Sequence, residues 1–186
     1  MTNEDRRYHL AVWIVIASEA LLFSGLFALY WGYRSEYPQV FARGVTLDIQ
    51  WMGSLNTFLL LTSSFAIAWA ILMMRTARVK AATWSLVAVL LMGGGFLVFK
   101  LLEWSQHISE GLVPGSSLFF TLYYFMTGLH ALHVIAGMTL VAWVLVRVIR
   151  GTLASDRMLA LVLVALYWHF VDIVWVFLWP MFYLMR

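Results

Sequence analysis

The stretch Tyr167-Trp168-His169-Phe170-Val171-Asp172-Ile173-Val174-Trp175 places a histidine and a carboxylate three residues apart, near the middle of an apolar run long enough to cross a bilayer. Ionisable side chains at that depth are costly and mark functional sites by default. The i, i+3 spacing puts His169 and Asp172 on one helix face. Asp172 also shares a stripe with Trp168, Trp175 and Trp179, so this face is predicted to look into protein rather than lipid. Two other apolar runs carry comparable groups. Glu19 lies near the centre of the first run, and His130 and His133, again three apart, lie in the fourth. Counted from the ends of their runs, Glu19, His130, His133, His169 and Asp172 fall at similar depth, and an inter-helix polar cluster is expected. Imidazoles and carboxylates are ligands for zinc, copper or iron, and two histidines on facing helices can hold a haem. No extended ligand motif accompanies them here. The expectation is therefore no metal, no haem and no catalytic residue in this chain, with the cluster holding helices in register. A second charged group, Lys100, Glu103 and His107, follows spacings of 3 and 4 at the outer end of the third run. It reads as a snorkelling interfacial ion pair, or as a docking point for an outer loop or a partner.

The elements that position these groups follow from composition. The chain has 186 residues, 63% hydrophobic and 11% charged, against roughly 45–50% and about 25% in soluble domains. A polytopic membrane protein is implied, all-α and without room for a sizeable soluble domain. A span needs about 20 mostly apolar residues. Five stretches qualify: Leu10–Tyr30, Ser54–Met74, Thr83–Glu103, Leu118–Val146 and Leu159–Leu184. One transmembrane domain over residues 1–186 is expected. The first run is too long for a cleavable signal and lacks a small-residue cleavage site, so it reads as a retained span.

Basic residues set the expected orientation. The N-terminal side carries Arg6, Arg7, Arg75, Arg78, Lys80, Arg147, Arg150 and Arg157, and the opposite side Arg34, Arg43 and Arg186. The N-terminus is thus expected in the cytoplasm and the C-terminus outside. The basic residues read as topology signals and not as a nucleic-acid surface. The absence of cysteine excludes disulfides, cysteine-ligated metals and thiol chemistry. Gly53, Ser54, Asn56, Thr57, Thr62, Ser63 and Ser64 give the second run a small, polar packing face. Gly93-Gly94-Gly95 and Gly137 are predicted to permit close helix approach. The 32–53 connection is read as a loop with Trp31, Tyr33, Tyr37 and Trp51 near the interface, and residues 105–117, with Gly111, Pro114 and Gly115, as a turn-rich outer loop.

Several of these stretches together resemble the haem–copper oxidase subunit III family, in its short five-helix form. They are Ser117-Leu118-Phe119-Phe120, Thr127-Gly128-Leu129-His130-Ala131-Leu132-His133-Val134-Ile135-Ala136-Gly137, the Tyr167–Trp175 run, Ser18-Glu19 with its following apolar run, and Glu103-Trp104 before the glycine turn. They occur in the family's order across nearly the whole chain. The seven-helix members carry two further helices that are missing here. Five-helix members occur in bacterial cytochrome c oxidases, in quinol oxidases and beside nitric oxide reductase, and the ending Phe177–Leu184 is similar to that last group. The resemblance implies an accessory subunit without redox centres, with haem and copper in partner subunits of a proton-pumping terminal oxidase of the cytochrome c oxidase type. It implies packing on subunit I, contact with subunit II and other respiratory subunits, bound phospholipid, support of proton uptake, and a multi-pass place in the bacterial inner membrane. Glu19 falls where the family carries a carbodiimide-reactive glutamate, and His130, His133, His169 and Asp172 fall on signature positions. An accessory role beside nitric oxide reductase and a small stand-alone transporter are the alternatives.

Overall fold

A computed structural model describes residues 3–153 and 158–185; Arg157 and Arg186, used in the charge comparison, lie outside the described residues. Six helices account for most of this length: α1 (Asn3–Glu36), α2 (Pro38–Leu47), α3 (Gln50–Arg75), α4 (Val79–Ser109), α5 (Leu118–Ile149) and α6 (Leu159–Tyr183). All except α2 are long and apolar enough to cross a membrane, with a mean hydropathy of 2.0–2.2 over their most apolar stretch. The first four crossing helices overrun their expected spans at one or both ends, and α6 ends one residue short of its own. The added turns, such as Trp104–Ser109 of α4, are more polar but continue the backbone hydrogen bonding that an apolar environment demands.

The five long helices alternate in direction. The α1–α3 connection, the α4–α5 turn and the end of α6 therefore share one end of the bundle, called here the α2 end. α3 packs most extensively on α4, α6 packs on α3 and α5, and α1 packs chiefly on α6 and α2. The most apolar stretch of α6 is 50% buried and that of α1 only 6%. α6 is thus the central helix, and α1 an edge helix with most of its face free.

Small residues set the closeness of packing. A Cβ on Gly137 of α5 would stand 2.8 Å from the Trp168 ring of α6, and one on Gly93 of α4 would stand 3.0 Å from the same ring. The fully buried Trp168 indole thus fills a slot made by two glycines. Its Nε1–H donates to Ser63 Oγ at 2.9 Å. One helical register further along, Trp175 Nε1–H donates to Thr57 Oγ1 at 3.0 Å. The polar face of the second span is therefore the partner of the tryptophan stripe on α6.

The connection before α3 is not a loop throughout. Pro38 at the first helical position starts α2, where a missing N–H costs nothing and the fixed φ suits a helix. Phe41, Gly44 and Val45 turn inward, and Phe41 meets the rings of Tyr30 and Phe119 edge-on. Gly44 lies so close to the Phe119 ring that a Cβ would overlap it. At the same end α4 stops at Gly111, whose φ of +77° is easily reached only without a side chain. Ser117 then caps α5 by accepting the Phe120 N–H at 3.2 Å.

Candidate functional site

Ionisable groups collect in two regions. The first, at the α2 end, is built on one face of α4. Lys100, Glu103 and His107 are buried to 1%, 0% and 0% exposure, so Lys100 points into the bundle and does not snorkel to the interface. Its three N–H donors are all used. The ammonium donates to Tyr183 Oη at 2.7 Å and Tyr123 Oη at 2.9 Å, and it meets the Glu103 carboxylate at 3.3 and 3.4 Å. Both tyrosine hydroxyls in turn donate to Glu103 Oε1 at 2.5 Å. The Tyr123 and Trp175 rings also face the ammonium, at 4.6 and 5.2 Å. α4, α5 and α6 are thereby joined through one closed ring of charge-assisted hydrogen bonds.

Asp48, between α2 and α3, completes this region. Its Oδ1 accepts the Ile49 N–H at 2.9 Å and lies 3.4 Å from His107 Nε2. Burial pushes the Asp48 carboxyl well above the usual carboxylate range; the Glu103 charge adds to this and Lys100 opposes it. Sequence reading found the α4 members by their spacing but missed Asp48, Tyr123 and Tyr183. The available signal was an acid set directly before a span and a tyrosine at the same end of each of α5 and α6.

The second region lies at mid-depth and is divided. Glu19 Oε2 of α1 meets His133 Nε2 of α5 at 3.0 Å, with side-chain exposures of 28% and 14%. The other ring nitrogen, Nδ1, lies 2.8 Å from the Leu129 carbonyl. A carbonyl only accepts, so Nδ1 carries a hydrogen. His169 Nδ1 of α6 is 2.5 Å from Ser64 Oγ of α3. His130 is buried and makes no hydrogen bond among the described residues, and buried Asp172 has Ser64 as its side-chain hydrogen-bonding neighbour; the His130 ring lies 5.2 Å from Trp175 and 5.6 Å from Phe96. The structure thus brings Glu19 and His133 together, sets His169 and Asp172 beside the same Ser64, and leaves His130 apart. Beside Glu19, towards the start of α1, an apolar groove of about 560 Å³ runs between α1, α5 and α6, lined by Val12, Val15, Leu140, Leu163 and Tyr167 among others.

Comparisons with known proteins agree with this architecture. The family described as cytochrome c oxidase subunit III matches residues 4–186. The chain is 31% identical over 179 residues to quinol oxidase subunit 3 of Bacillus subtilis, covering 95% of this chain and 86% of that one. It is 30% identical over 185 residues to a probable quinol oxidase subunit 3 of Staphylococcus aureus, covering 98% and 91%. It is also 31% identical over 180 residues to a heme-copper oxidase subunit I+III of Aeropyrum pernix; that match takes in 94% of this chain but 22% of the longer protein. A five-span helical bundle matched along its length in this way is a multi-pass membrane protein of the haem–copper oxidase assemblies. The chain belongs to the cytochrome c oxidase subunit III family.

Proposed function

We propose that this chain is the accessory subunit III of a haem–copper terminal oxidase, that it packs on subunit I, and that it carries no redox centre of its own. The observation that carries this reading is the family match along residues 4–186, joined to a relative whose name combines subunits I and III in one protein. Covalent joining of the two in a relative is what a lasting contact between them would allow. The weakly buried α1, with Leu21, Leu22 and Trp13 on its open side, supplies an apolar face for either lipid or subunit I. The names of the Bacillus and Staphylococcus relatives favour quinol over cytochrome c as the electron donor of the complex. The basic residues favour a cytoplasmic N-terminus in the bacterial inner membrane.

Two finer roles rest on the mid-depth region. The apolar groove fits an acyl chain, so that a phospholipid bound there would seal α1 against α5 and α6. The Glu19–His133 pair, at 3.0 Å, lies partly exposed beside that groove on the N-terminal half of α1. It supports proton uptake from the cytoplasmic side during sustained turnover.

The test is affinity purification of the full chain in mild detergent, with mass spectrometry of co-purifying chains and a reduced-minus-oxidised spectrum. Recovery of a haem- and copper-containing subunit I is the expected result, and oxidation assays with quinol and cytochrome c then identify the donor. A chain that purifies alone and colourless would overturn the reading in favour of a stand-alone transporter. Recovery with a nitric oxide reductase would move it to that complex.

A further inference from the structure

Asp48, Glu103 and His107 stand apart from the other ionisable groups in one respect. Among the described residues, they form the set of three whose ligand atoms all lie within 4.8 Å of one another. They come from two elements, the short segment between α2 and α3 and the far end of α4, so the fold itself brings them together. His107 is completely buried and neither of its ring nitrogens makes a hydrogen bond; Asp48 is buried with Glu103 as its neighbouring side-chain hydrogen-bonding group. Buried polar atoms are ordinarily satisfied, so an unpartnered buried imidazole beside two buried carboxylates requires an explanation.

We infer that Asp48, Glu103 and His107 form a binding site for a divalent transition-metal ion, zinc being the first candidate, at the α2 end of the bundle. The separation of Asp48 Oδ1 and His107 Nε2, 3.4 Å, is too long for a good hydrogen bond. It matches the edge of a tetrahedron around zinc, about 3.4 Å for bonds of roughly 2.0–2.2 Å. One imidazole and two carboxylates give the three protein ligands of a zinc site with one exchangeable position. The surroundings also suit the role, because metal ligands are oriented by outer hydrogen bonds. Glu103 Oε1 is fixed by the two tyrosine hydroxyls, and Oε2, whose one hydrogen-bond donor is the Lys100 ammonium at 3.4 Å, is the oxygen offered to the ion. Asp48 is fixed by the Ile49 N–H. A cavity of about 370 Å³ lies between α2 and the α4–α5 turn, lined by Arg43, Leu47, Leu112 and Phe120 among others; the Phe120 ring on its wall lies 5.5 Å from the His107 ring.

Lys100 is the competing cation. Its ammonium already meets Glu103, so it opposes a second positive charge nearby. This makes the inference specific, since removing that ammonium must strengthen metal binding. The alternative arrangement is a metal-free Asp48–His107 pair beside the Lys100–Glu103 pair.

The experiment uses the full chain with its co-purifying subunits, stripped with a chelator, loaded with one equivalent of Zn²⁺ and washed. Zinc content is measured by elemental mass spectrometry and its ligands by zinc X-ray absorption. The expected result is one zinc retained per copy of this chain, bound by one imidazole with oxygen donors. Asp48→Asn and His107→Gln should each weaken retention by about tenfold or more, His9→Gln should not, and Lys100→Met should tighten it by at least about tenfold. Asp48→Asn preserves shape, so circular dichroism and gel filtration can establish that the variant is folded when retention is read. No zinc retained by the unaltered chain, or equal retention in folded Asp48→Asn and His107→Gln, would overturn the inference.

Discussion

The two polar regions of this bundle use similar residue types to different effect. At the α2 end, the Lys100, Glu103, Tyr123 and Tyr183 side chains are buried and each is tied to the others. At mid-depth the groups occur as isolated contacts, and the Glu19–His133 pair is open on one side. A closed, dry network fixes helices, because each member has its partners and breaking one leaves the rest buried and unpaired. A half-open pair contributes little to folding, and its proton can exchange. The difference sets a closed ring of buried partners at the α2 end against a partly open pair at mid-depth.

Four substitutions sharpen or break this comparison. The largest effect is expected from Glu103→Ala, which leaves the Lys100 ammonium and two tyrosine hydroxyls without their acceptor. Loss of one partner of a buried ion pair costs about 3–5 kcal/mol, so the variant should accumulate poorly and melt early in a detergent thermal-shift assay. Near-normal yield and melting would remove the network from its structural role. Gly53→Ala comes next. A Cβ there would stand 2.6 Å from the Tyr183 ring and would push that ring away from Glu103, at about 1–3 kcal/mol for overpacking; unfolding of the purified chain in denaturant measures it.

Smaller effects are expected at mid-depth. Trp175→Phe keeps the aromatic packing and removes the N–H donated to Thr57; a membrane inter-helix hydrogen bond averages about 0.6 kcal/mol and reaches about 1.7. Its melting temperature should fall slightly. Glu19→Gln should change stability least, by under about 1 kcal/mol, with the haem spectrum of the purified complex unchanged. Loss of haem on that substitution would contradict an accessory role without redox centres.

Much of this organisation is legible in the sequence, with definite limits. Five spans follow from hydropathy alone, because an apolar run of that length has few other uses. The stripe Trp168, Asp172 and Trp175 is legible as an inward face, since its spacing is helical and lipid would not tolerate the aspartate. α2 is missed because its ten residues mix Arg43 and Gln39 with apolar positions; Pro38 at its start and the Phe41/Val45 pair four apart are the signals in hindsight. Spacing finds Lys100, Glu103 and His107 but gives their setting wrongly, since snorkelling and burial look alike at the end of a span. What distinguishes them is Tyr183, 83 positions from Lys100, and Asp48, 55 positions before Glu103. No local pattern encodes such pairings. The same holds for mid-depth, where similar depth suggests one cluster, whereas helix rotation directs Glu19 to His133 and His169 to Ser64.

On the function proposed above, the α2-end network is expected to hold the subunit together and the Glu19–His133 pair to serve turnover. The most direct test is oxygen consumption followed over many turnovers, with the yield of intact complex, for Glu19→Gln and Glu103→Ala side by side. Glu19→Gln should give full yield but early loss of activity. Glu103→Ala should give low yield, with the complex that does assemble turning over as the unaltered one does. The reverse pattern, poor assembly with Glu19→Gln and normal assembly with failing turnover in Glu103→Ala, would contradict this expectation.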